Sequence, residues 1–151
     1  MSSMNAWILD FGMDFKAALG ARELLHLIDV PKTFTVPCTP SYCRKVVSWQ
    51  GRLLPVMDVA FRLSGVSQPE QFIAVVGYQQ KRGEYPQFGA VLMTTPPRHV
   101  AVNDKQACEL PETMQRWSEL IISCFELQGD AVPVLNLNQL FSPPLHAGQN
   151  L

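Results

Sequence analysis

A chain of 151 residues, 47% hydrophobic and 17% charged, can bury a core without disulfide or metal staples and does not have the composition of a disordered protein. Its formal net charge of −1 gives no long-range attraction to nucleic acid or acidic membranes. No apolar run approaches the ~20 residues of a membrane-crossing helix. Residues 1–5 carry no basic segment followed by an apolar stretch, so the reading is a cytoplasmic protein without direct membrane insertion.

Twelve prolines and nine glycines favour many short elements. Residues 6–11 read as a strand, rich in bulky β formers. A turn at Gly12-Met13-Asp14 leads to a second strand over 15–19. Residues 21–28 suit either a helical turn or a strand, which period alone does not decide. Pro31, Pro37 and Pro40 make 30–41 an extended connector. Residues 45–50 and 53–57 form a hairpin turning at Gly51-Arg52, because glycine accepts positive φ. Pro55 marks an edge or a bulge, since it cannot donate to a ladder. Asp58 caps a short helix over 59–63, which Gly65 ends. The polar stretch 64–71 links two lobes. Further strands are expected over 72–78, 88–93 and 100–102, with a polar turn around Gly83. Residues 103–115 read as irregular or partly helical, and 120–127 as another strand.

The end of the chain repeats its middle. Gln50-Gly51-Arg52-Leu53-Leu54-Pro55-Val56-Met57-Asp58-Val59 aligns with Gln128-Gly129-Asp130-Ala131-Val132-Pro133-Val134-Leu135-Asn136-Leu137, at a constant offset of 78 (128 − 50). Glutamine, glycine, proline and valine are shared. Both Asp58 and Asn136 are good N-caps, and a second helix over 137–141 stops at Ser142-Pro143-Pro144. The pattern is a duplicated strand–turn–strand–helix unit. It gives a mainly β fold of two lobes, approximately 15–65 and 72–142, with the strand at 6–12 completing the second.

An enzyme should show paired acids, a nucleophile with its base, or a metal cluster. His26, His99 and His146 are scattered and lack ligand spacing. The four cysteines, Cys38, Cys43, Cys108 and Cys124, form no Cys-x-x-Cys pair and read as reduced thiols. Cys38 or Cys43 with His26 is the one thiol–imidazole alternative, which would make a thiol hydrolase. Lys16, Arg22, Lys32, Arg44, Lys45, Arg52 and Arg62 interleave with Asp10, Asp14, Glu23, Asp29 and Asp58, a mixed solvated face rather than a nucleic-acid groove. No catalytic residue, cofactor or metal is expected. A body of this kind suits protein binding through a few apolar anchors or an open sheet edge.

The segment Thr35-Val36-Pro37-Cys38-Thr39-Pro40, followed by Val46-Val47-Ser48-Trp49-Gln50-Gly51-Arg52-Leu53-Leu54-Pro55-Val56-Met57-Asp58-Val59, resembles the CheW-like chemotaxis coupling proteins. Their core reads G-V-hydrophobic-N-L-R-G-x-hydrophobic-hydrophobic-P-V-hydrophobic-D-L. The resemblance is strong over Gly51 to Asp58 and loose between Lys81 and Arg116. It implies two five-stranded SH3-like barrels with short helices around a shared apolar core. It also implies a non-catalytic adaptor that bridges the regulatory domain of a histidine kinase to the cytoplasmic tips of methyl-accepting receptors. On this reading the kinase contacts Gly51, Arg52, Leu53 and Leu54, and the receptor contacts Leu24, His26 and Gln50. Lys45, where the family has a strand-opening glycine, is also placed among the protein-binding residues. His26 stands where the family's V-x-E-V motif has glutamate, and Gln50 where its hairpin has arginine. A His26–Gln50 hydrogen bond would replace the lost charge pair. The departure is either neutral or marks a changed partner, such as a divergent receptor or a system controlling pilus motility. The alternative is a member that has lost receptor coupling and serves another partner.

Overall fold

The computed structural model describes residues 3–12, 15–29, 32–37, 42–66, 72–79 and 81–142. Eleven strands form two curled sheets over these residues. They are β1 Ser3–Asp10, β2 Lys16–Gly20, β3 Leu24–Asp29, β4 Thr33–Thr35, β5 Lys45–Trp49, β6 Arg52–Met57, β7 Phe72–Tyr78, β8 Gln87–Met93, β9 Arg98–Asn103, β10 Ile121–Leu127 and β11 Asp130–Leu135. Helices α1 (Val59–Ser64) and α2 (Leu137–Leu140) follow β6 and β11. A 3-10 helix, Glu112–Leu120, precedes β10. The first sheet runs β3-β7-β8-β6-β5-β4 and the second β10-β11-β2-β1-β9. Residues 21–28 resolve as a turn and then a strand. The connector contributes a short edge strand, β4, which gives the first sheet six strands where five were expected.

The duplicated unit has the same shape twice. The turn residues are Gln50-Gly51 and Gln128-Gly129, with φ of 48° and 76° in one hairpin and 53° and 85° in the other. Positive φ at both central positions is the type I′ geometry that matches the twist of the flanking strands. The turn therefore lies one residue earlier than Gly51-Arg52, and Arg52 already pairs with Trp49. Asp58 accepts from the Phe61 N–H at 3.0 Å, and Asn136 from the Gln139 N–H at 3.3 Å. Gly65, at φ 80°, ends α1 with a left-handed cap. Arg62 joins the two copies. Its Nη1 donates to the Leu140 carbonyl at 2.7 Å, and its guanidinium lies 4.6 Å from the Tyr42 ring centroid. This supplies a partner to one of the carbonyls that the end of α2 leaves unpaired.

The sheets do not divide where the linker at 64–71 suggested. The β7–β8 hairpin joins the first sheet, where β8 lies parallel to β6. The β1–β2 hairpin joins the second, where β2 lies parallel to β11. Each half of the chain thus lends a hairpin to the sheet carrying the other half's duplicated unit. The strand order runs across the expected bounds of 15–65 and 72–142, and β1 lies in the sheet that holds β10, β11, β2 and β9. Residues 67–71, the centre of the expected linker, lie outside the described residues, as do Pro143 and Pro144.

The exchange explains why the internal strands are apolar on both faces. Along β7, Ala74 and Val76 face the core between the sheets, while Ile73 and Val75 face the concave side of the first sheet. Along β1, Leu9 faces the shared core and Ile8 the concave side of the second sheet. The shared core also takes Leu19, Met57, Val91, Met93 and Leu135, with Val59, Leu137 and Leu140 from the helices. Pro55 is internal rather than at an edge. The parallel pairing with β8 begins only at Val56, so the missing donor falls just before that ladder.

A glutamine at positive φ costs about 1–2 kcal/mol relative to right-handed geometry, and asparagine relieves part of this. Gln50→Asn and Gln128→Asn should each raise stability by ~0.5 kcal/mol. The two gains should add, because the turns are separate. Urea melts with an unchanged m-value provide the measurement. Equal or lower midpoints would remove the twin-turn reading.

Candidate docking surface

The β5–β6 hairpin carries two unlike faces. Val47, Leu54 and Val56 point into the concave core of the first sheet, beside Ile73, Val75 and Ala90. On the other face the register sets Phe34 opposite Val46, Val46 opposite Pro55, and Ser48 opposite Leu53. Directly opposed residues share a face, as do residues two apart on one strand. Phe34, Val46, Pro55 and Leu53 therefore form one continuous row across β4, β5 and β6. Phe34 is 48% exposed and Leu53 69%. The row runs on through Met57, two positions beyond Pro55, into the core between the sheets. An apolar strip that starts in a core and ends in solvent has the character of an interface.

At the mouth of the concave side, Trp49 and Phe88 pack with centroids 5.7 Å apart. The Arg52 guanidinium lies 4.8 Å from the Phe88 centroid. Leu25 extends this group on the β7 side, where Gly77 leaves space for it: a Cβ on Gly77 would meet Leu25 Cδ1 at 3.0 Å. Arg52 thus belongs to an aromatic rim, with its charge over a ring rather than on the outer apolar row.

Of the residues expected to bind partners, Lys45, Gln50, Gly51, Arg52, Leu53 and Leu54 share this hairpin. Gln50, Gly51, Arg52 and Leu53 are exposed and Lys45 is half-buried. Leu54 is 3% exposed and fills the concave core, so it supports the hairpin from beneath and presents nothing to a partner. Leu24 and His26 lie on β3, at the opposite end of the sheet order from β4. A bulge falls between them: Leu24 pairs with Val76 and His26 with Val75. Val76 faces the shared core and Val75 the concave one, so the extra residue turns Leu24 and His26 to opposite faces. His26 and the bulged Leu25 are exposed, while Leu24 is half-buried. Among the described residues no hydrogen bond joins His26 to Gln50, and β7 and β8 lie between β3 and the β5–β6 hairpin in the sheet. The sequence alone does not mark the outer row, because Phe34 lies in a proline-rich connector; its one signal is the apolar run on β6, which implies that something covers both faces.

Burial disfavours the thiolate at Cys43 and Cys124. Cys38 lies outside the described residues. Burial pushes the Cys43 thiol above its ordinary value, partly opposed by the nearby Arg62 charge. Cys124 is pushed up to about 12, first by burial and then by the hydrogen bond and charge of Cys108. Among the described residues no group of acidic, histidine or cysteine side chains is placed to hold a metal ion, and no helix is long and apolar enough to cross a membrane.

The two sheets and the exposed apolar face of one hairpin set the class of fold, and comparison with known proteins gives the family. A sequence profile of the CheW-like domain matches residues 15–144, and the chain belongs to that family. Among solved structures it is similar to the scaffolding protein TtCheW from Thermoanaerobacter tengcongensis. The TM-score is 0.76 over 93% of this chain and 94% of that one, at 12% identity. At that identity the likeness is one of fold. No curated protein sequence matches the chain.

Leu54→Ala should cost about 2–5 kcal/mol, the range for emptying a packed leucine site. Its neighbour Leu53→Ser should stay within ~0.5 kcal/mol, being an exposed position. Chemical denaturation of the two variants side by side checks the assignment of faces.

A pH series tests the buried thiols. Their folded values are raised, so the unfolded chain releases these protons at lower pH than the folded chain does. The stability they confer is complete below pH 9.0, the ordinary thiol value, and is lost as pH climbs through the folded values toward about 12. The urea midpoint should fall across that window. At neutral pH, iodoacetamide should label Cys43 slowly; rapid labelling would revive the hydrolase reading.

Proposed function

We propose that this protein is a non-catalytic scaffold that couples methyl-accepting chemoreceptors to a chemotaxis-type histidine kinase. The kinase's regulatory domain docks on the outer face of the β5–β6 hairpin. The observation that carries this reading is the row Phe34, Val46, Pro55 and Leu53, apolar and solvent-facing at one end of the shared core. Family membership supports the adaptor role in general terms. Leu53 is the principal anchor, with Phe34 at the other end of the row and Gly51, Arg52, Gln50 and Lys45 at its margin. An interface of this class buries about 1,200–2,000 Å² in total, with most of the energy in a few such anchors. Receptor contact falls to the exposed face of β3 around Leu25 and His26, with Leu24 holding that strand from the core side. Such a scaffold works in the cytoplasm, without a reaction step or a cofactor.

A second reading is favoured by one feature. His26 and Gln50 replace the charged pair implied by the family pattern, and no hydrogen bond links them. This suits a divergent receptor, a pilus-motility system, or a member that has lost receptor coupling and serves another partner. The double variant His26→Glu/Gln50→Arg separates the cases: altered receptor choice marks a changed partner, and unaltered binding marks neutral change.

Leu53→Asp should weaken binding to the kinase regulatory domain by at least about tenfold, or ~1.4 kcal/mol. Phe34→Asp should have a smaller effect in the same direction. Titration calorimetry on variants with unchanged circular dichroism is the measurement. Undiminished binding by folded Leu53→Asp would place the kinase elsewhere.

A further inference from the structure

The second hairpin carries a feature with no counterpart in the first. At the position of the exposed Phe34–Val46 pair, the second sheet sets Cys108 against Cys124. The strand-like segment leading to Cys108 is pinned along β10 at successive points. Gln106 Nε2 donates to the Glu126 carbonyl at 3.1 Å, Ala107 bridges Phe125, and the Cys108 N–H donates to the Cys124 carbonyl at 3.0 Å. The two sulfurs are 3.3 Å apart, and both residues are free thiols. Cross-strand neighbours with a shared backbone hydrogen bond have Cα atoms about 5.5 Å apart, inside the range that a disulfide spans without backbone movement.

We propose that Cys108 and Cys124 are a redox modification site that closes into an intramolecular disulfide on exposure to a peroxide, and reopens with a dithiol reductant. Cys108 is half-buried and Cys124 only 7% exposed, so the oxidant meets Cys108 first. The Cys108 sulfur attacks one peroxide oxygen. An S–O bond forms, the O–O bond breaks, and the departing hydroxide takes the thiol proton to leave as water. The resulting sulfenic acid faces Cys124 directly. The Cys124 sulfur attacks the Cys108 sulfur, the S–S bond forms and the S–O bond breaks, and a second water leaves with the Cys124 proton. Two thiols have then given two electrons to one peroxide. The buried, proton-holding Cys124 is a poor nucleophile in solution terms, but its fixed contact with the acceptor sulfur replaces a bimolecular encounter by an intramolecular one.

The two residues are 16 apart in sequence, and the loop they close contains the 3-10 helix Glu112–Leu120. That helix sets Trp117 edge-on against Phe15 of the β1–β2 hairpin, with centroids 5.8 Å apart. Oxidation therefore ties the β10 edge to a segment that packs on the exchanged N-terminal hairpin.

The test uses the full chain, folded, treated with a small excess of hydrogen peroxide and then alkylated. Peptide mapping without reductant should find Cys108 linked to Cys124, with two fewer thiols available for alkylation, and dithiothreitol should restore both. The oxidised chain should melt roughly 5–10 °C higher. Cys108→Ser, a change at the more accessible partner, should abolish both the linked peptide and the melting shift. A treated chain that keeps both thiols alkylatable, links them to other cysteines or between molecules, or forms the bond only after unfolding in urea would overturn the proposal.

Discussion

Two short parallel contacts, β6 with β8 and β11 with β2, govern the architecture. Through them each sheet is completed by a hairpin from the other half of the chain. Neither duplicated unit has enough strands to cover its own apolar faces, and the borrowed hairpin supplies what is missing. The three core clusters follow from this: one inside each curl, and one between the sheets, where the two helices also bury their apolar residues. A body locked in this way offers partners a fixed surface. Association then costs little in ordering the scaffold itself, and the binding free energy reflects the anchors and the partner.

Within this frame the two hairpins have kept their turns and caps and diverged in what they present. The first shows a phenylalanine and a leucine to solvent. At the matching Phe34–Val46 position the second holds a pair of thiols, one of them buried, and its Leu53 equivalent is Ala131. Twin geometry with unlike side chains gives the two ends of the body different surfaces. Arg62 holds the relationship between the copies by crossing from one short helix to the last carbonyl of the other.

The local signals in the sequence were readable because they act locally. Glycine after glutamine marks a turn wherever strands flank it, and Asp58 and Asn136 cap helices through their own backbone neighbours. The pairing of distant strands left no such mark: nothing in 72–93 distinguishes a hairpin that joins the preceding unit from one that joins the following unit. The bulge at Leu25 was hidden for a related reason. Its cause lies in Gly77 across the ladder, where the missing side chain admits the leucine. Leu54 was legible as apolar but not as inward-facing, since Leu53 and Leu54 differ only in parity, and the one-residue shift in the turn was needed to set it.

The exchange also has a temporal side. Ala18 of β2 meets Val134 of β11, a partner near the opposite end of the described chain. The β1–β2 hairpin therefore keeps one edge open until β11 has been synthesised, and this pairing is non-local and slow by the usual relation between contact separation and rate. A nick in the segment joining α1 to β7 would leave two fragments, each holding the hairpin the other needs, and their mutual requirement would drive them back together in trans.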